Sequence, residues 1–144
     1  MEEPKFEWAD INPGAIITPK RILLEFSNSF NEKFGRKIIM NLSSAQEQSL
    51  DWDILSMVGD ASNNQPSDMT HSLQLQVPEL DNYTLQIIKV THKVTAVYPC
   101  TVLQSIDDAK EECKTYDALF EALKKATKSE KLLTVMTNLF AQVN

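Results

Sequence analysis

Three segments in the middle of the chain alternate apolar and polar residues, and this alternation constrains the fold more than any other feature of the sequence. In Ser72–Val77 three aliphatic residues share one phase, with glutamines between them. Tyr83–Thr91 and Lys93–Tyr98 follow after short polar connections. A period of two is typical of a strand with one buried face and one polar face. Because the connections are short, we expect an antiparallel meander.

Two irregularities qualify this pattern. Ile88 and Val90 fall out of phase with Tyr83 and its successors, which indicates either two covered faces or a β-bulge. Pro99 interrupts the last apolar run and indicates a sheet edge or a bulge, since proline lacks the N–H that a ladder needs. A further short strand is predicted over Lys37–Ser43, where aliphatic residues are dense.

Helices are predicted on both sides of the strands. Thr18 is a suitable N-cap for a helix with a strong apolar stripe, and Gly35 is expected to end that helix in a left-handed conformation. Two more helices follow near the C-terminus, the first capped by Thr115 or Asp117 and the second by Ser129. These two helices are expected to form a hairpin.

The order of elements predicts an α+β fold, in which an antiparallel sheet of about four to five strands packs against an N-terminal helix and a C-terminal helical hairpin. The length of 144 residues fits one domain covering 1–144. Residues 1–17 form an acidic arm, from which we expect Trp8 to dock on the domain. Residues 44–71 are predicted to be a long polar segment or loop, and 107–113 a charged lead-in with a turn of helix.

The charge distribution favours a protein partner over nucleic acid. The formal net charge is −6, which makes general nucleic-acid binding unlikely on electrostatic grounds. Residues 38–88 contain no lysine or arginine. That distribution is explained either by solubility or by attraction of a basic partner. The chain shows no signal peptide and no apolar run long enough for a membrane span, so we expect a cytoplasmic protein with reduced cysteines.

Motifs for catalysis, metals or cofactors are weak. Cys100 has no local signature of a nucleophile, and neither cysteine belongs to a CxxC pair. His71 is expected to stand alone in a loop, and the DxD pattern at 51–53 is short enough to arise by chance. The three glycines are far apart, which excludes a phosphate-cradling glycine loop. We therefore predict no catalytic residue, no metal site and no cofactor.

The sequence favours a non-enzymatic binding module that acts through a protein partner, by analogy with small acidic immunity proteins and antitoxins that neutralise a partner. The predicted partner surface combines carboxylates with one aromatic anchor: Asp51, Trp52, Asp53, Asp60 and Asp68. The alternative is a small-ligand sensor or an enzyme with a pocket between sheet and helices, lined by Tyr83, His92, Tyr98 and Cys100. Homo-oligomerisation through an exposed edge strand, with Pro99 marking where pairing ends, is a third hypothesis.

Overall fold

The computed structural model describes residues 6–48 and 67–143. The acidic arm leads through a short 3-10 turn at Pro13–Ala15 into helix α1. The regular elements are α1 (Pro19–Phe34), β1 (Ile39–Gln48), β2 (Ser67–Val77), β3 (Tyr83–Lys93), β4 (Ala96–Gln104), β5 (Ala109–Cys113), α2 (Tyr116–Ala126) and α3 (Glu130–Gln142).

The strands form one antiparallel sheet in the order β1-β2-β3-β4-β5, so the predicted α+β meander is confirmed. Register places the apolar residues of neighbouring strands in rows on one face, for example Leu42 beside Leu73 and Leu73 beside Ile88. The helices pack on this face and close the core, to which they contribute Leu23, Leu119, Leu123, Leu132 and Leu139. None of the described helices is long and apolar enough to cross a membrane.

The phase change in β3 is a β-bulge. The pairing between β2 and β3 shifts where Leu73 is opposite Ile88 and Gln74 is opposite Gln86, which leaves Ile87 as the extra residue. Ile87 and Ile88 are therefore both buried although they are adjacent. A second shift in register occurs between β3 and β4 beyond Thr91, in the part of β4 that contains Pro99. The expectation of a bulge near Pro99 is met, and Pro99 pairs with neither neighbouring strand, because the ladder between β4 and β5 begins at Cys100.

Two predicted boundaries are wrong. The polar segment predicted over 44–71 contains strand at both ends, because β1 continues to Gln48 and β2 begins at Ser67. These residues are polar and show no clear apolar alternation, but the backbone hydrogen bonds between β1 and β2 hold them in strands. The stretch 107–113 contains strand β5 rather than a helical turn, since Ala109–Cys113 completes the sheet beside β4. Its charged residues are tolerated because β5 is an edge strand of the described sheet.

The helix signals were mostly correct. Thr18, Thr115 and Ser129 each accept a hydrogen bond from the backbone three residues on, as N-caps do. Gly35 ends α1, but its φ of −67° is not left-handed. The expected docking of Trp8 on its own domain is also wrong, because 88% of this residue is exposed.

The second face of the sheet is polar. Register assigns to it alternate residues of each strand, most of which carry hydroxyl, amide or charged groups, with Ile39, Ala45 and Leu103 among the exceptions. Examples of the polar residues are Asn41, Asp68, Thr70, Gln76, Lys89, Thr91, Thr101 and Lys110. None of the described helices packs here, so we call it the open face.

Candidate functional site

Asp68 is the one member of the predicted partner surface that the structure describes, since Asp51, Trp52, Asp53 and Asp60 lie outside the described residues. It is half-buried on β2, where register places it between Glu47 of β1 and Lys93 of β3. Asp68 also lines a shallow concavity of about 260 Å³ on the open face. Two carboxylate residues thus occupy one row beside a single lysine.

The four residues of the alternative pocket do not meet in one place. Tyr83 lies at the start of β3, opposite Val77, and 47% of it is exposed. His92, Tyr98 and Cys100 lie towards the other end of the same sheet. The Tyr98 hydroxyl donates to the carbonyl oxygen of Ile17 at 2.7 Å, which ties the arm's base to the sheet. Burial, and then the nearby thiols, raise the pKa of Tyr98 to about 12, so it remains a donor.

The cysteines have the environment of core residues. Cys100 and Cys113 are directly opposite on β4 and β5, and both are buried free thiols. Burial, followed by the influence of Cys113, raises the pKa of Cys100 to about 12, and burial likewise raises the pKa of Cys113. A nucleophilic cysteine requires a thiolate near neutral pH, so this environment argues against thiol chemistry.

Ser44, His71 and His92 form a hydrogen-bonded chain that the sequence analysis missed. Ser44 Oγ is 2.7 Å from His71 Nδ1, and His71 Nε2 is 2.9 Å from His92 Nε2. His92 Nδ1 lies 2.8 Å from the carbonyl oxygen of Lys93. Both imidazoles are buried, with 2% and 7% of their surface exposed, whereas Ser44 is exposed on β1. The register explains the contact, because His71 is opposite Val90 and therefore diagonal to His92.

The direction of every hydrogen bond in this chain follows from its last acceptor. A carbonyl oxygen only accepts, so Nδ1 of His92 carries a proton, and in the neutral ring Nε2 is an acceptor. His71 must then donate from Nε2 and accept at Nδ1, where the Ser44 hydroxyl is the donor. All polar atoms of both rings are satisfied when both are neutral.

The same geometry limits protonation. One added proton is accommodated if His71 reverses its donors and acceptors, but a second would place two N–H groups face to face at 2.9 Å. Burial first, then His92 and then Lys20, lower the pKa of His71 to about 4. A base of that pKa accepts a proton from serine poorly near neutral pH. The chain of hydrogen bonds therefore fits a structural, acid-sensitive network better than a nucleophile and its base.

The alternation contained a signal for this network. His71 shares the phase of Leu73, and His92 shares the phase of Val90, so both histidines continue the buried rows of their strands. The predicted strands Ser72–Val77 and Tyr83–Thr91 each stop one residue short, so His71 and His92 fell just outside them. Ser44 had no comparable signal, since its role depends on the pairing of β1 with β2.

The outer edge of β1 is the other unusual feature. The Asn31 side chain of α1 accepts from the Met40 N–H at 2.8 Å and donates to the Met40 carbonyl at 2.9 Å. Both backbone groups of Met40 therefore point away from β2. The register of β1 and β2 is continuous from Ile39 to Gln48, so every second residue has the same orientation.

Leu42, Ser44 and Gln46 consequently direct their backbone N–H and C=O groups outward, past the point that Asn31 covers. Within the described residues, the sheet has no strand beyond β1. Residues 41–46 include no proline, lysine or other charge, and residues 43–46 are exposed. Natural edge strands commonly carry prolines or charged residues, which prevent pairing with other chains. Because residues 41–46 have neither, this edge is open to an additional strand.

Comparison with protein-family models, curated proteins and solved structures finds no match to this chain. Among the described residues, no group of three or more histidine, cysteine, aspartate or glutamate side chains has the arrangement of a metal site.

Proposed function

We propose that this protein is a non-enzymatic binding module that recruits a protein partner by strand addition along β1, between Leu42 and Gln46. The observation that carries the proposal is the pair of Asn31 hydrogen bonds to Met40, because it identifies which backbone groups of β1 face outward. In strand addition, main-chain hydrogen bonds supply affinity while side-chain contacts supply specificity.

The partner segment is expected to be extended and basic. β1 and β2 contain no lysine or arginine, and register places Glu47 opposite Asp68 near the end of the open edge. The net charge of −6 favours encounter with a basic partner. Neutralisation of a partner by occlusion is one form that this binding would take.

The test uses basic peptides of about 12 residues selected from a random library against the full chain. Gln46→Pro removes one outward N–H without breaking the β1–β2 ladder, while Gln46→Ala removes the same side chain and retains that N–H. We expect the proline variant to weaken peptide binding at least about tenfold and the alanine variant to bind normally.

Amide hydrogen exchange locates the bound peptide. Binding should slow exchange at Leu42, Ser44 and Gln46, while the intervening amides, already bonded to β2, change little. Peptides that bind both variants equally, and that protect amides elsewhere, would show that the binding surface is not this edge.

A further inference from the structure

The acidic arm exposes large apolar side chains to solvent. Phe6, Trp8 and Ile11 are 85% to 88% exposed, and they lie within six residues of one another. Single exposed apolar residues are ordinary, but a contiguous group that includes two aromatics is typical of an interface. The arm also carries Glu7 and Asp10, so its apolar groups are set among negative charges.

A groove on the helical layer has the complementary shape and chemistry. It lies between α1 and α2 and is lined by Ile22, Phe26, Phe120 and Leu123, with Glu25, Lys124 and Thr127 at the rim. Its volume is about 160 Å³ and its lining is almost wholly apolar. A dry cavity of about 150 Å³ holds a benzene ring, so this α1–α2 groove accepts one aromatic side chain.

The charges at the groove are mixed, since its rim carries both Lys124 and Glu25. From the end of α2 to the start of α3, four lysines occur within eight residues, at positions 124, 125, 128 and 131. Two of them pair with carboxylates, Lys124 with Glu121 and Lys125 with Glu111. Lys124 Nζ lies 4.6 Å from the centre of the Phe120 ring, at the wall of the groove. Lys124 therefore offers the acidic arm one opposite charge at the rim of the groove, beside its apolar lining.

We propose that the arm of one copy docks on a second copy of this chain, with Trp8 inserted into the α1–α2 groove. The arm's base is held to its own sheet by the hydrogen bond from Tyr98 to Ile17, and Trp8 is left exposed on its own domain. Residues 6–12 span about 20 Å when extended, which is enough to cross to a neighbouring molecule.

Reciprocal exchange gives a closed two-fold dimer, since each copy supplies one arm and one groove. An aromatic side chain buries about 150–250 Å². Phe6 and Trp8 from two arms would bury about 600–1,000 Å², and the surfaces that receive them add a comparable area. The total exceeds the roughly 1,000 Å² that a specific interface requires.

Sedimentation equilibrium of the full chain, from about 1 μM to about 500 μM, tests the proposal. Trp8→Ala should weaken dimerisation at least about tenfold, and Phe120→Glu should do the same by placing a carboxylate against the acidic arm. Leu133→Glu is the matched control, because Leu133 is 45% exposed on α3 outside the groove, compared with 48% for Phe120. Circular dichroism checks that each variant is folded. Trp8→Ala should leave the core unaffected, because Trp8 lies on the exposed arm.

Trp8 fluorescence, taken as the difference between the wild type and Trp8→Phe, should shift to longer wavelength on dilution as the dimer dissociates. A chain that stays monomeric throughout overturns the proposal. So does a dimer that neither Trp8→Ala nor Phe120→Glu weakens, or a monomer in which Trp8 is shielded, which would mean that the arm docks on its own domain.

Discussion

Acidification is expected to destabilise the protein through His71. Its ordinary pKa of 6.5 applies in the unfolded chain, and its pKa in the folded protein is lowered to about 4. Between these two values the unfolded state binds more protons than the folded state, so the free energy of unfolding decreases as the pH falls from 6.5 towards 4. Well above pH 6.5 the imidazole is neutral in both states and contributes no pH dependence.

The magnitude follows from the two pKa values. Linkage gives a loss of about 2 kcal/mol at pH 5 and about 3 kcal/mol at pH 4. These are upper values, because the pair of imidazoles accommodates one proton by reversing the His71 hydrogen bonds. A loss of 2 kcal/mol is a large share of the stability of a domain this size.

Urea unfolding of the wild type and His71→Gln, measured at intervals between pH 7.5 and 4.5, isolates this contribution. Carboxyl groups also titrate in this range, but they are common to both proteins and cancel in the difference. The wild type should be the more stable of the two at pH 7.5, and its advantage should shrink by about 2 kcal/mol by pH 5. A difference that is constant with pH would refute the argument.

If His71→Gln does not fold, an NMR titration of the wild-type imidazole protons provides the same test. An apparent pKa of His71 near 6.5 in the folded protein would contradict the assigned burial and hydrogen bonding.

Two further predictions concern groups outside this network. Asn31→Ala should lower the free energy of unfolding by about 1–3 kcal/mol and speed amide exchange at Met40, since it removes both hydrogen bonds that close this part of the edge. Asn28→Ala, one turn earlier on α1, is the control. Equal effects of the two substitutions would contradict the role given to Asn31. Cys100 and Cys113 should react with a thiol reagent at pH 7.5 only in denaturant, and rapid labelling of the native protein would show that burial does not control their pKa.

Much of the fold was predictable because its signals are local. The phase change at Ile88 indicated either two covered faces or a bulge before any pairing was known, and the structure has the bulge, at Ile87. N-capping by Thr18 and Ser129 was likewise predictable, since a cap involves residues only three apart. The short strand β5 was not predictable in this way, because its charged residues are strand only through pairing with β4.

The candidate site likewise has features that the sequence alone indicates and features that depend on the pairing of distant segments. Alternation alone gives His71 and His92 the phase of the buried rows, and composition alone makes the region of β1 and β2 free of cations. Tertiary structure decided that Ser44 meets His71 across 27 residues of chain and that His71 meets His92 across 21. It also decided that Asn31 covers the edge at Met40 and leaves the edge open from Leu42 onwards. Periodicity is encoded between neighbouring residues, whereas register and edge exposure arise only when distant segments pair.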